Sequence, residues 1–251
     1  MLGRRMVPLK LRCAVNGRMR QRVGLFATGR AAFSQEGEDL VIARLLDIDQ
    51  RPDGFYVDVG AHHPERFSNT MFFYQRGWRG INIDPMPGMA KEFAARRPRD
   101  INLEVAISEN STTIEYAVFN EPALNGCDMR LASTRNGKNG HRIVNHFPVQ
   151  CRRLDEVLDE HMPADTMIDF LSVDVEGHDL SVLKSNAWGR YRPMLVLAED
   201  IGVVSLGDLN SSAIAAFMRD VGYLPISKCA MTLIFADKAR IRQTELGVRL
   251  S

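Results

Sequence analysis

The sequence is poor in cysteine and clusters none of it. Its 251 residues contain only Cys13, Cys127, Cys151 and Cys229, with no Cys-x-x-Cys pair. A zinc ribbon and a thioredoxin-like redox motif are thereby excluded, and a disulfide framework is not expected at this size. No apolar run reaches the roughly 18–20 residues that a membrane span needs. The basic N-terminus lacks the apolar core and small-residue cleavage site of a signal peptide. With the sparse thiols, this reads as a cytoplasmic protein. A bulk charge is missing too. The 32 Lys/Arg and 31 Asp/Glu leave +1, which gives no general pull toward nucleic acid.

What charge there is lies unevenly. The first 35 residues carry eight Lys/Arg and no acid, which leaves 24 bases against all 31 acids in the remainder. The segment divides as a basic arm over residues 1–32, a main domain over 33–240 and a tail over 241–251. The arm reads either as a solvated tail or as a contact for an anionic membrane surface, which would place the protein at the inner face of the membrane. From Ser34 the pattern becomes helical, with Ser34 as the cap and Glu36, Glu38 and Asp39 in the first turn.

Strands and helices then alternate. Gly54–Gly60, Gly80–Pro85, Ile101–Ser108, Ile168–Val175, Met194–Ala198, Tyr223–Ile226 and Thr232–Ala236 read as strands. Helical patterns cover Asn69–Gln75, Met89–Arg97, Leu180–Ser185 and Ser211–Asp220. This is the rhythm of βαβ units and of an α/β fold with a mostly parallel sheet. The last two strands are too close for a parallel crossover and predict an antiparallel hairpin. Ile114–Phe119 and Phe147–Arg152 read as a further pair. The polar stretch between them, about 120–146, is long enough to be a lid.

Ligands of open α/β sheets bind at the carboxyl ends of the strands. After the first strand comes Asp58-Val59-Gly60-Ala61-His62-His63, and after the second comes Asp84, 24 residues past Gly60. A carboxylate there can hold ribose hydroxyls. The Gly-x-Gly-x-x-Gly pyrophosphate fingerprint is absent, which favours a smaller nucleoside. Later strand ends carry Asp174, Glu176, His178 and Asp179, and then Glu199 and Asp200. Asp174, Glu199 and Asp200 are candidate oxygen ligands for Mg²⁺, since clustered carboxylates need a cation or must share protons. The competing reading makes Asp179 and Asp200 helix caps.

Five segments in order resemble the FkbM-type S-adenosylmethionine-dependent methyltransferases. They are Phe33–Asp39, Tyr56–Ala61, Gly80–Pro85, Val105–Ser108 and Asp169–Gly177. The lid segment Phe119–Gly126 and the His-His-Pro after Ala61 resemble a branch found with polysaccharide and glycolipid biosynthesis. The resemblance implies a Rossmann-like class I methyltransferase sheet with a lid insertion. It implies Asp58, Gly60 and Ala61 around the methionine part of the cofactor and Ser68 and Asn69 at its carboxylate. It also implies Asp84 at the ribose, Ala106, Ile107 and Ser108 beside the adenine, and Gln35 facing the cofactor. Asp174 would lie beside the transferred methyl. His62 stands where many relatives carry Asn, which leaves cofactor and substrate open as its partner.

The expected activity is O-methylation of a sugar hydroxyl, with Asp174, His178 and His63 as candidate bases, in that order. Asn120, Glu121, Asn125, Arg130 and Arg135 of the lid, with Glu176, are candidate glycan contacts. A macrolide, a lipid or a small phenol is the alternative acceptor, and a non-catalytic nucleoside-binding module is the alternative of another class. Nucleic acid is not an expected partner, because no Asn-Pro-Pro-aromatic motif occurs. Self-association into a homo-oligomer is also an expectation.

Overall fold

The computed structural model describes residues 30–244 and 247–250. The basic arm falls almost entirely outside the described residues. The chain opens with helix α1 (Glu38–Leu45), strand β1 (Phe55–Val59), helix α2 (Met71–Tyr74), strand β2 (Arg79–Ile83) and helix α3 (Met89–Arg96). Strands β3 (Ile101–Leu103), β4 (Ala106–Ile107) and β5 (Thr113–Phe119) follow, then helix α4 (Met129–Arg135) and strand β6 (Ile143–Arg152). Helix α5 (Leu154–His161), strand β7 (Phe170–Val173), helix α6 (Asp179–Lys184), strand β8 (Leu195–Glu199) and helix α7 (Ala213–Asp220) come next. Strands β9 (Tyr223–Cys229), β10 (Thr232–Asp237), β11 (Ile241–Thr244) and β12 (Gly247–Leu250) close the chain.

Seven strands form one sheet in the order β3-β2-β1-β7-β8-β10-β9. Pairings from β3 through β8 are parallel, and β10 runs antiparallel to both β8 and β9. This is the α/β sheet with an antiparallel terminal hairpin that the sequence predicts. Its central strands are apolar on both faces because both are covered. Phe55, Val57 and Val59 join the core shared with α5, α6 and α7. Tyr56, one pleat step away, joins the core shared with α1 and α2.

Three expectations need correction. The third strand is not continuous over Ile101–Ser108. Its first half pairs with β2, whereas Ala106 and Ile107 leave the sheet and pair with Cys151 and Arg152 of β6. The stretch about 120–146 contains α4 and a 3₁₀ turn at Pro122–Leu124. The tail forms the β11–β12 hairpin, and Leu250 packs with Ile42 and Leu46 of the α1 region. Ser34 is not the N-cap of α1, because Gly37 holds that position in the left-handed region. The Ser34 hydroxyl instead accepts from the Gly37 N–H (3.1 Å), and Asp39 reaches back to the Phe33 N–H (2.7 Å).

Candidate active site

The carboxyl ends of β1, β2, β7 and β8 surround a cavity of about 430 Å³, within the roughly 300–1,000 Å³ of small-ligand sites. The turn after β1 is fixed from two sides. Gly60 and Ala61 N–H donate to the Ile83 carbonyl (2.9 and 3.1 Å), and Asp174 N–H donates to the Val59 carbonyl (3.0 Å). Gly60 and His62 both have positive φ, +83° and +53°. That reversal brings the turn against the end of β2. There Asp84, nearly buried, accepts from the N–H groups of His62 (2.9 Å) and Met86 (2.8 Å). Burial pushes the Asp84 carboxyl up to about 6.

Asp58 lines the cavity above a buried polar network. It accepts from the Thr70 hydroxyl (2.9 Å), which in turn accepts from Arg97 (2.9 Å). Arg97 is fully buried and pairs with Asp100 (2.8 Å) and with the Tyr56 hydroxyl (2.8 Å). Burial raises the Asp58 pKa, and Arg97 opposes that rise. Asn69 donates to the Ser172 hydroxyl (3.1 Å) on the next strand.

Across the cavity, oxygens of Asp174, Glu176 and Glu199 all lie within 4.8 Å of one another. Asp174 is reached from the cavity, and no hydrogen bond to its carboxylate is found among the described residues. Crowding by surrounding groups at the cavity wall, then the negative charges of Glu199 and Glu176, push its pKa up, although the side chain stays open to the cavity. Glu199 is pushed to about 8, first by burial and then by Glu176 and Asp179. One Glu199 oxygen and one Asp179 oxygen are buried without a hydrogen-bond partner. Arg135 of α4 pairs with Glu176 and ties the lid to this turn.

These raised values have a measurable consequence. Glu199 unfolded has the ordinary 4.5 and folded about 8, so the folded state holds the extra proton between them. Stability of the metal-free protein therefore falls as pH rises through that window. Glu199→Gln has no proton to lose, and its melting temperature is expected to gain on the parent between pH 5 and pH 8. Parallel melting curves across that range would contradict the shift.

Most of the sequence-derived residues meet at the cavity. Gln35, Asp58, Gly60, Ala61, His62, Asn69, Asp84, Ala106 and Ile107 line it. So do Glu121, Asn125, Asp174, Glu176, His178 and Glu199. Others do not. Ser68 lies beneath the cavity, accepting from Met71 N–H (3.1 Å) and Arg97 (3.3 Å). Ser108 contacts the ring Nε2 of His178 and the Ser181 hydroxyl, both at 3.1 Å. His63 is turned outward by the left-handed His62. Its Nδ1 accepts from Glu65 and Arg66 N–H, and its Nε2 faces Glu92 at 3.5 Å. Asn120 bridges Gly140 and Arg142 at the lid base, and Arg130 caps no part of the cavity.

Asp200 leaves the metal set. Its carboxylate accepts from the Ser212 hydroxyl and the Gly202 N–H, supporting the cap of α7. Successive strand residues point opposite ways, so with Glu199 inward Asp200 is outward. Glu176, two residues past Asp174, takes its place. The sequence reading also missed Glu36, Glu38, Arg66, Phe67, Tyr116 and Thr232, which line the cavity. Glu36 and Glu38 flank the Gln35 already singled out, and that adjacency was the available signal.

A family model described as the methyltransferase FkbM domain matches residues 58–225. The chain belongs to this family. Three solved structures also match. A TehB-like SAM-dependent methyltransferase from Corynebacterium glutamicum is 13% identical, with 87% of this chain and 95% of that chain covered and a TM-score of 0.37. A precorrin-6y C5,15-methyltransferase from Geobacter metallireducens is 12% identical, with 83% and 91% covered and a TM-score of 0.39. The 1,6-didemethyltoxoflavin-N1-methyltransferase of Burkholderia thailandensis, with bound 1,6-didemethyltoxoflavin and S-adenosylhomocysteine, is 10% identical, with 94% and 91% covered and a TM-score of 0.39. At such values the likenesses add no weight to the family match. No match was found among curated proteins.

This FkbM-domain chain is an S-adenosylmethionine-dependent methyltransferase. Its cavity residues fit that cofactor. A buried carboxylate waits at the end of β2, and His62 Nε2 is buried without a partner. Burial and the nearby Arg66 lower His62 to about 4, so its ring is neutral and can accept or donate. Asp84→Asn is expected to weaken S-adenosylhomocysteine binding about 10- to 100-fold, the loss of one charged hydrogen-bonding group. Titration calorimetry measures it, and an unchanged affinity would remove Asp84 from the cofactor site.

Proposed function

We propose that this methyltransferase acts on oxygen, and that its acceptor is a sugar hydroxyl of a glycan or glycolipid precursor. The observation that carries the reading is the Asp174, Glu176 and Glu199 cluster in the cavity wall. Bound S-adenosylmethionine supplies a methyl group already activated by its sulfonium. The protein must therefore orient the acceptor and take its proton. Like charges this close keep a proton among them, and the carboxylate that ionises is a stronger base than an ordinary one. Asp174 is assigned that role. His178, held through Nε2 by Ser108, positions rather than abstracts. Asp84 holds the ribose, Gly60 and Ala61 the methionine part, and Ala106 and Ile107 the adenine side. Asp58, Asn69 and Gln35 complete the cofactor wall. Glu121, Asn125 and Glu176 face the acceptor, together with Arg66 and Arg135, which pair with Glu121 and Glu176. These charged and amide groups can hydrogen-bond the hydroxyls of a sugar.

The test is release of S-adenosylhomocysteine over a panel of free sugars, nucleotide sugars and lipid-linked sugars, with a macrolide and a catechol for comparison. Turnover restricted to sugar acceptors is expected. Turnover on the macrolide or catechol alone would overturn the sugar reading, and cofactor binding without turnover on any acceptor would favour a binding module.

The same cluster favours a second reading of the base, in which a divalent cation lowers the hydroxyl pKa. Three carboxylate oxygens are the donor set of Mg²⁺ or Ca²⁺. Arg135 competes for Glu176, so shared protons are the preferred account and turnover is expected to survive EDTA. Loss of activity in EDTA with recovery in Mg²⁺ would reverse that preference.

A further inference from the structure

Phe67 combines two features that a fold normally avoids. It is a large apolar side chain left 40% exposed. Its φ is +56°, a left-handed conformation in which a bulky residue is an outlier. The loop after β1 builds this position from both sides. His63 Nδ1 accepts from the N–H groups of Glu65 (3.0 Å) and Arg66 (2.9 Å). On the other side Ser68 is buried and accepts from Met71 N–H (3.1 Å). Phe67 is held between these two anchors. A single exposed apolar residue needs no explanation. One kept in a strained backbone by fixed neighbours, on the wall of a ligand cavity, points to function.

The ring is also backed. The Arg66 guanidinium lies over it, 4.2 Å from the centroid. The same guanidinium donates to the Glu121 carboxylate (2.8 Å), which braces the stack against the 120–146 stretch. Arg66 covers one face of the ring and leaves the other. All three side chains line the cavity. The adenine side assigned to Ala106 and Ile107 belongs to β4, whereas Phe67 is coupled through Arg66 to Glu121, an acceptor-facing group. A flat apolar ring with charged hydrogen-bonding groups at its edge matches a pyranose, which carries C–H groups on its faces and hydroxyls around its rim.

We propose that Phe67 is the stacking platform for the acceptor, a specificity-determining residue that takes the C–H face of a sugar ring while Arg66 and Glu121 bind its hydroxyls. The sugar as occupant rests on the proposed function above, and the platform itself does not.

The experiment places a fluorophore at the platform. Phe67→Trp is titrated with S-adenosylhomocysteine and then, with that ligand kept present, with free sugars, nucleotide sugars, lipid-linked sugars, a macrolide and a catechol. An emission change with a sugar, absent from the parent, is expected. A change with the macrolide or catechol alone would support the platform and overturn its sugar occupant. A change with S-adenosylhomocysteine alone would overturn the proposal, because the ring would then be a cofactor contact. No change with any compound would overturn it as well. Phe67→Ala separates a platform from a structural role. Its KM for the responding acceptor is expected to rise about tenfold, the loss of one stacked contact, and by more than kcat falls. Its melting temperature and its affinity for S-adenosylhomocysteine are expected to stay near the parent's. A variant that melts well below the parent, or binds S-adenosylhomocysteine about tenfold more weakly, would assign the ring to the fold or to the cofactor instead.

Discussion

Replacing Gly60 by alanine is expected to leave almost no soluble, cofactor-binding protein. A Cβ at this position would stand 1.8 Å from the Asp174 carbonyl oxygen and 2.7 Å from its carbon. Both are backbone atoms at the end of a central strand, so nothing flexible can move aside. The +83° φ adds strain of about 1–2 kcal/mol for any L side chain. The steric term is larger, because relief means prising β1 from β7. We expect the sum to exceed about 4 kcal/mol, among the exceptional single-site losses and a large part of the total stability of a domain. Gly37→Ala is the control. Its φ is +89°, yet nothing lies within 4 Å of the added atom. It should lose only the strain. Chemical denaturation of both variants measures the difference. Equal, small losses would mean that the close approach of the two strand ends does not constrain the turn.

That close approach explains why the strand ends were legible in the sequence. A Gly directly after a buried strand is a strong signal, because few other positions need one. The strands were visible because both faces of the sheet are covered, which makes Phe55–Val59 and Leu195–Glu199 nearly continuous apolar runs. The break between β3 and β4 was not visible. Ile101–Ser108 carries no Gly or Pro to mark a break, and only the place of β6 decides that Ala106 and Ile107 pair elsewhere. Helix α5 carries a signal of its own in the sequence. Leu154, Val157 and Leu158 follow helical spacing and are all buried.

The site was legible where local chemistry decides it and illegible where the pleat or a distant element does. Asp84 was identifiable from its distance after the Gly turn. Arg97 was not, because an arginine at a helix end reads as solvated, whereas here it is sealed under the cavity by Asp100, Tyr56 and Thr70. The acidic cluster was legible at Asp174 and Glu199. Glu176 lies in the turn past β7 with a left-handed backbone (φ +55°), which no alternation rule anticipates. Asp200 directly follows Glu199 at the end of β8 and points to the other side. His63 failed similarly, since no sequence rule announces a left-handed His62.

Asp174→Asn is the substitution with the greatest expected effect on turnover. The side chain keeps its size, and the main-chain hydrogen bond from Asp174 to Val59 is untouched. What disappears is a base and a negative charge. A general base contributes about 10²- to 10⁴-fold, and kcat is expected to fall within that range while S-adenosylhomocysteine still binds. Stability should move the other way. Removing one of three mutually repelling carboxylates relieves the repulsion that helps to hold this group of acids above the usual carboxylate range. The variant should therefore melt higher than the parent, with a margin that widens as pH rises, because the parent alone must then ionise the group. A merely structural Asp174 predicts the reverse, lower stability and a turnover loss that follows the folded fraction. A variant that is more stable, still binds cofactor and no longer turns over means that the fold tolerates this charge for its chemistry. Turnover near the parent's would take the proton-accepting role away from Asp174 and leave Glu199, which lines the cavity with a raised pKa and an unpartnered oxygen, as the group to test.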